Sequence, residues 1–509
     1  MLKKMSRVVL NQYFLVVVIV VVGLAARIYK IGNPIADWHS WRQADTASVA
    51  RIYLNEGIDL FYPRYYDISR IQTGAINLSG LRLVEFPLYN LLHSVVAKSV
   101  TFCPSVSVPD QKVSKALYFY LFPNNVDISS LGTPCFEIIG RVVSIVFSLI
   151  STVLMFLIGR KLYGKWVGIL AAFLFAFIPY NIYFSRVILP EPMSVAFALA
   201  GLYLFIKFVD SENKWLLYLS GAGFAISFLI KPFTVFYLIP AFYYLYLKNG
   251  KSVFKEGSLL IRILIFINIS FAPFFAWRIW INKYPIGIPH FDWMFNGDGI
   301  RFQPAFWYWI FGERIGKLIL GVWSVIPFYL GLTKLRNNLF AHFWMLGIVL
   351  YFFVVATANV RHDYYQIILI PPLALMVAVG FSTAKSGLEK LALTACVILA
   401  ILIGSFQVKE FYKINHPEIL VAGKAVKRLI PRDFLIIAPY NGDTAFLYQT
   451  ERFGWPVVDE DFKDMIALGA GYFVAVNFSD PDVVYVEKNF RVLEKTDQYI
   501  IADLLQNPK

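Results

Sequence analysis

Residues 138–160 read IIGRVVSIVFSLISTVLMFLIGR, and no charged residue interrupts them between Arg141 and Arg160. At about 1.5 Å per residue such a run crosses roughly 30 Å of hydrocarbon as one helix. Stretches of the same character recur near 165–183, 190–208, 216–230, 232–248, 258–281, 316–333, 340–357, 365–382 and 390–407, and Tyr13–Ala26 is another. Composition agrees with them. Apolar residues make up 58% of the 509, charged residues 16% and aromatics 17%, with a mean hydropathy of +0.60; soluble proteins hold about 45–50% apolar and about 25% charged residues. A standard water-soluble enzyme is excluded, and a polytopic α-helical membrane protein is predicted.

The basic residues orient the spans. Lys3, Lys4 and Arg7 precede Tyr13–Ala26, and Arg27 and Lys30 follow it where a signal peptide would place small residues for cleavage. This predicts an uncleaved first span with a cytoplasmic amino terminus. Arg160/Lys161/Lys165, Lys207/Lys214, Lys248/Lys251/Lys255, Lys334/Arg336 and Lys385/Lys390 fall on every second connection, the cytoplasmic side by the positive-inside rule. Ser185–Pro192, Lys231–Pro232, Asn282–Arg314 and Asn359–Tyr364 then face outward. Phe86–Phe102 is apolar enough to span, but counting it would reverse every later assignment, so it reads as a juxtamembrane or re-entrant helix. About 11 transmembrane helices (11–13) result, over residues 1–407, with 31–137 as an extracytoplasmic first loop.

From Val408 the composition shifts. Of the chain's 47 Lys/Arg and 33 Asp/Glu, residues 408–509 hold 12 and 15, so the net +14 divides into +17 on the membrane body and −3 on the tail. The basic balance is therefore a topological signal, and no nucleic-acid partner is predicted. Within the tail, Phe434–Pro439 and Tyr472–Val476 read as buried strands, Phe462–Leu468 as a helix, and Phe490–Leu493 with Tyr499–Ala502 as a terminal hairpin. A small extracytoplasmic α/β domain at 408–509 is expected. Cys396 falls in a span, whereas Cys103 and Cys135 bracket the outward insert, where an oxidising compartment permits a disulfide. Neither spacing nor neighbours suggest a metal site.

Polar side chains gather at the outward junctions. Ile35-Ala36-Asp37-Trp38-His39-Ser40-Trp41-Arg42-Gln43-Ala44-Asp45-Thr46-Ala47 places two carboxylates, a histidine and an arginine just past the first span, able to supply a general base and a phosphate contact, or an interfacial belt with an ion pair. Thr46–Glu56 then reads as a short surface helix with Arg51 and Asn55 outward. Glu85 opens the Phe86–Phe102 helix, where the helix dipole favours an acid. Arg186 and Glu191 form either a mutual salt bridge or site walls, since ionisable groups at a membrane boundary are costly unless paired or functional. Lys231 before Pro232 either snorkels or binds a phosphate, and Arg361-His362-Asp363-Tyr364-Tyr365-Gln366 suits an anionic headgroup.

These motifs together resemble a polyprenyl-phosphate-sugar-dependent glycosyltransferase of the GT-C superfold, specifically the broad family 39 group of protein O-mannosyltransferases and lipid A aminoarabinose transferases. The resemblance covers most of the chain and is carried by His39–Ala47, Glu85-Phe86-Pro87-Leu88-Tyr89, Gly140–Ser144 running into Gly159–Gly164, Tyr183–Pro192, Leu229-Ile230-Lys231-Pro232 and His362-Asp363-Tyr364-Tyr365. It implies an inverting transfer in a plasma-membrane protein, from a polyprenyl-monophosphate sugar to a glycan, lipid or protein acceptor on the extracytoplasmic side. The first-loop base maps to Asp37 or Asp45, and the second acidic position to Glu191. His39, Arg42, Glu85, Arg186, Glu191, Lys231, Arg361, His362 and Tyr365 map to donor phosphate and sugar binding. No cofactor is implied with certainty, and a divalent metal is not indicated. Two departures stand out: the adjacent Asp-Glu of relatives falls near Arg42-Gln43, and Glu85-Phe86 replaces an acid-lysine pair, leaving Lys231, Arg186 or Arg361 to substitute for that lysine. A lipid-linked sugar flippase or a solute transporter is the alternative, though such proteins commonly carry two pseudo-symmetric halves and this sequence has no visible repeat.

Overall fold

In the computed structural model, which describes residues 12–100, 135–334 and 337–507, the apolar runs are helices. Those used below are α1 (Gln12–Ile28), α2 (Ser40–Glu56), α3 (Leu88–Ser99), α4 (Cys135–Tyr163), α5 (Lys165–Phe177), α6 (Pro179–Phe184), α7 (Glu191–Ser211), α8 (Lys214–Ile230), α9 (Leu238–Asn249), α10 (Gly257–Ile281), α11 (Val325–Thr333), α12 (Phe340–Val354), α13 (Ile370–Phe381) and α14 (Gly387–Val408). Five helical stretches among the described residues are long and apolar enough to cross a membrane: Cys135–Tyr163, Glu191–Ser211, Gly257–Ile281, Asp363–Phe381 and Gly387–Tyr412. Gln12–Ile28, Lys165–Phe177, Lys214–Ile230 and Phe340–Val354 are apolar but shorter.

Proline explains two of the shorter elements. A residue before proline is pushed out of the helical region. Ile178 (ψ 117°) accordingly ends α5 ahead of Pro179, dividing the expected 165–183 stretch. Lys231 (ψ 107°) ends α8 ahead of Pro232, so the expected 232–248 stretch begins as a 3₁₀ turn before α9. The 316–333 stretch is also broken. A π-helical segment, Tyr308–Ile319, gives way to a turn with positive φ at Gly321 and Val322 before α11 starts. α3 has 12 residues, too few for about 30 Å of hydrocarbon. Whether Cys103 and Cys135 pair or stay as two free thiols turns on Cys103, which lies outside the described residues.

Packing divides the chain into two units: 1–29, 141–278 and 291–410 form one, and 30–140, 279–290 and 411–509 the other. In the first, α7 and α8 lie against each other, α9 packs on α12, and α13 meets α5, α11 and α12. The α11–α13 contact is backbone to backbone. A Cβ on Gly380 would stand 1.7 Å from the Pro327 carbonyl oxygen, and one on Gly331 2.3 Å from that of Met376. Small residues of this kind let membrane helices approach closely.

The second unit is built on a five-stranded mixed sheet of order β2-β1-β3-β5-β4, with β1 Leu435–Ile437, β2 Gly454–Trp455, β3 Ala470–Ala475, β4 Arg491–Lys495 and β5 Ile500–Asp503. β1 runs parallel to β2 and β3, and the β4–β5 hairpin is antiparallel. The two-residue strand β2 was not legible in the sequence. First-loop residues continue the sheet past it: Asp67 bridges Gly454, the Ile68 N–H donates to the Gly454 carbonyl (3.0 Å), and the Gly454 N–H to that of Tyr66 (2.9 Å). An open edge strand is thereby covered. Ile68 joins the core with Ile437, Trp455, Phe473 and Ile500.

Two first-loop expectations need correction. The helix begins at Ser40, not Thr46, and Arg42 to Tyr53 are buried rather than on a surface face, because α3 and the short helix α15 (Ala445–Thr450) pack against α2. Arg51 points inward, donating to the Tyr448 carbonyl at 3.0 Å with its guanidinium 3.8 Å over the Tyr448 ring. Glu85 precedes α3, which Pro87 caps, so it does not occupy the first turn.

Replacing Gly380 by leucine should uncouple α11 from α13. Gly380→Ala should cost about 1–3 kcal/mol, as overpacking does, read as a lower melting temperature of the detergent-solubilised protein; an unchanged melting temperature would contradict this packing.

Candidate active site

The sequence-predicted residues divide between the units, Asp37, His39, Arg42, Asp45 and Glu85 in the second and Arg186, Glu191, Lys231, Arg361, His362 and Tyr365 in the first. In the second unit, helical spacing sets the arrangement. Arg42, Asp45, Thr46 and Val49 fall on one face of α2 and line a crevice with Pro63, Arg82, Val84, Glu85, Pro87 and Asn90. Its free space is about 10 Å³, room for about one water.

Asp45 is fully buried. Its carboxylate pairs with Arg82 at 2.8 Å and accepts hydrogen bonds from the Thr444 hydroxyl (2.7 Å) and the Gln72 amide (3.4 Å). Arg82 is in turn held by Gln72 Oε1 at 2.8 Å and lies 4.8 Å over the Tyr65 ring. The carboxylate therefore ties α2, the 65–82 segment and the tail together. A buried charge must be paired in this way or its desolvation goes uncompensated.

Asp37 has a different setting. It lies in the turn before α2, 3% exposed, and accepts from the Gln43 amide at 2.7 Å; the same amide nitrogen also reaches the Trp38 carbonyl at 3.2 Å. His39 caps α2 in the left-handed conformation (φ 55°) and stands edge-on to Trp38. Trp38 itself stacks on Phe411 at 5.0 Å. Arg42 forms a salt bridge with Glu85, both side chains largely buried.

Two acids beside this cluster carried no sequence signal. Asp443, in the Asn441-Gly442-Asp443-Thr444 turn, lies 3.5 Å from the Ser40 hydroxyl, and burial pushes its carboxyl up to about 6. Asp67 is buried behind Tyr65 and accepts from the Ser69 N–H at 2.8 Å. Burial, against the opposing Ser69 hydrogen bonds, pushes it up to about 7. Asp67 meets the tail sheet, and Asp443 the first loop, across sequence distances that no local pattern reveals.

In the first unit, Lys231 pairs with Glu191 at 3.1 Å, both side chains under 10% exposed. This replaces the alternatives of a Glu191–Arg186 bridge and a snorkelling Lys231. Arg186 is buried with its guanidinium 5.4 Å over the Tyr183 ring. A hydroxyl chain, Ser194–Ser227–Thr234, runs beside the α8 terminus and ends on the Lys231 carbonyl. Farther along the chain, Arg361 pairs with Asp298 at 3.3 Å, and Thr357 donates to the same carboxylate at 2.6 Å. The His362 ring lies among Trp293 (5.7 Å), Tyr364 (5.6 Å) and Tyr365 (6.3 Å). Among the described residues, no group of three or more His, Cys, Asp or Glu side chains is placed to hold a metal ion.

Residues 136–277 match the family described as dolichyl-phosphate-mannose-protein mannosyltransferase. No curated protein matches the chain by sequence. Among solved structures, ArnT from Cupriavidus metallidurans bound to undecaprenyl phosphate superimposes with a TM-score of 0.60 at 10% identity, over 97% of this chain and 99% of that one. The arabinofuranosyltransferase AftD from Mycobacteria gives 0.58 at 10% identity, over 97% of this chain and 40% of AftD. The archaeal oligosaccharyltransferase AglB from Archaeoglobus fulgidus, in complex with an inhibitory peptide and a dolichol-phosphate, gives 0.52 at 8% identity, over 96% and 74%. At such identities the likeness is one of fold, and the fold is GT-C.

Asp67 and Asp443 make the second unit sensitive to pH. Their folded carboxyls hold the proton at pH values where the unfolded chain, near the ordinary 3.8, has released it. Stability from them is thus fully present at low pH and falls as pH rises from about 4 through about 7, by up to about 1.4 kcal/mol per unit and group. The melting temperature should drop between pH 5 and pH 8, and Asp67→Asn should flatten that slope; an equal slope in the variant would contradict the assignment.

Proposed function

From the GT-C fold that the chain shares with these transferases, we propose that it is an integral membrane glycosyltransferase. It moves a sugar from a polyprenyl-monophosphate donor to an acceptor hydroxyl on the extracytoplasmic side. The observation that carries this reading is the match in fold along 97% of the chain to a protein that holds undecaprenyl phosphate, joined to a first loop that presents two carboxylates with unlike surroundings.

Asp37 is the general base. Asp45 is occupied by Arg82, Thr444 and Gln72, and removing a proton through it would break the pairing that makes its burial tolerable. Asp37 keeps its acceptor role and is oriented through Oδ1 by Gln43. In the step proposed, the acceptor oxygen attacks the anomeric carbon while its proton passes to Asp37. The bond from that carbon to the phosphate oxygen breaks with its electron pair remaining on the lipid phosphate. One displacement inverts the anomeric centre. The departing phosphate is already an anion and needs cations rather than an acid. Arg42, steadied by Glu85, takes that role in the second unit, with His39 as a further phosphate or sugar contact. For the first unit the family resemblance proposes Arg186, Lys231 and Arg361 as phosphate-binding cations and Glu191, His362 and Tyr365 as phosphate or sugar contacts.

Purified protein incubated with labelled polyprenyl-phosphate sugars should release the lipid phosphate and pass the label to an acceptor or to water. Asp37→Asn should lower that turnover by about 10²–10⁴-fold, the usual worth of one base. Movement of intact donor across vesicles without cleavage would instead identify a flippase.

A further inference from the structure

An apolar cavity among the described residues lies wholly in the first unit, and none of the candidate site residues lines it. About 810 Å³ in volume, it is walled by α1 (Val18, Val22), α5 (Leu170, Phe177) and α13 (Phe381). That volume is in the range that ligand sites occupy. The polar side chains on its wall are few: Ser382, Lys390 and the indole of Trp166. All three lie at one end, where α5 begins, α13 ends and α14 begins. Val18, Val22 and Trp166 are 41%, 47% and 57% exposed, so the cavity is open at its side.

We propose that this cavity holds the acyl chains of an anionic phospholipid whose phosphate rests at Lys390. Depth is the first argument. From Trp166 to Phe177, α5 rises about 17 Å, close to half of the roughly 30 Å hydrocarbon layer, so the cavity fits the chains of a single leaflet. Charge is the second. Lys390 is exposed and pairs with no carboxylate among the described residues. Lys165 sits with its ammonium 5.4 Å over the Trp166 ring, and Arg160 at the end of α4 is bonded to the Tyr13 hydroxyl at the start of α1 (2.6 Å). Lys385 lies in the same turn as Ser382. The acid nearest in sequence, Glu389, is turned back onto the N–H groups of Lys385 and Ser386, capping α14 rather than facing Lys390. A cationic mouth with a tryptophan beside it, above an apolar slot one leaflet deep, matches an anionic headgroup at an interface with its chains below. A tailless anion would find only Ser382 and the Trp166 indole as further polar partners on that wall.

Trp166 is a built-in reporter, its emission being the difference between the wild type and Trp166→Phe. In phosphatidylcholine nanodiscs carrying a minor fraction of chain-brominated lipid, brominated phosphatidylglycerol should quench Trp166 as if enriched about five-fold over brominated phosphatidylcholine, the worth of one lysine at an anionic surface. Lys390→Glu, a change at an exposed position, should abolish the difference. Equal quenching by the two lipids, quenching by neither, or a preference that survives Lys390→Glu would each overturn the proposal.

Discussion

The second unit depends on a charge that water cannot reach. Asp45 has no exposed surface, and leaving a carboxylate there unpaired would cost several kcal/mol. Its three partners come from separate parts of the chain: Arg82 and Gln72 from the first loop, Thr444 from the tail, with some four hundred positions between Asp45 and Thr444. Satisfying one side chain therefore fixes how helix α2, the 65–82 segment and the tail turn meet. The backbone pairing of Tyr66–Ile68 with Gly454 then follows at the sheet edge. An apolar core around Trp455 and Phe473 adds the non-directional part of the stability.

This constraint separates two carboxylates that look alike in sequence. Eight positions apart in one motif, Asp37 and Asp45 are both candidate bases in the sequence, Asp37 by preference. Their surroundings differ because α2 starts at Ser40: Asp45 falls on the helical face that meets Arg82, whereas Asp37 remains in the turn ahead of it and is aimed by Gln43. The same logic acts in the first unit, where Lys231 and Glu191 pair with each other and Arg186 takes an aromatic neighbour. There, ionisable groups survive in an apolar body by mutual satisfaction.

Much of the helical architecture was legible from apolar run length, because in hydrocarbon a helix is nearly the only way to satisfy every backbone group. α4, α7, α10 and α14 follow the sequence closely. The misreadings have local causes. Pro179 and Pro232 act on the residue ahead of them, and the π-helical segment at Tyr308–Ile319 leaves the apolar pattern intact while changing the backbone. In the tail, Phe462–Ala467 and the β4–β5 hairpin lie where alternation and turn residues placed them. β2 is too short to have a period. The burial of α2 was hidden for a different reason: its polar residues are those of a surface helix, and only the tail, far along the chain, covers them. Asp443, Asp67 and Arg82 were likewise invisible, since their roles exist only once distant segments meet.

The most direct test compares Asp37→Asn with Asp45→Asn, measuring both the melting temperature and the rate of sugar release from a polyprenyl-phosphate donor. Asp37→Asn should keep the wild-type melting temperature and lose turnover by about 10²-fold or more. Asp45→Asn should melt several degrees lower, with turnover falling only as far as folded protein is lost. The reverse pattern, a silent Asp45→Asn melt with abolished chemistry and an active Asp37→Asn, would contradict the division of roles between the two carboxylates.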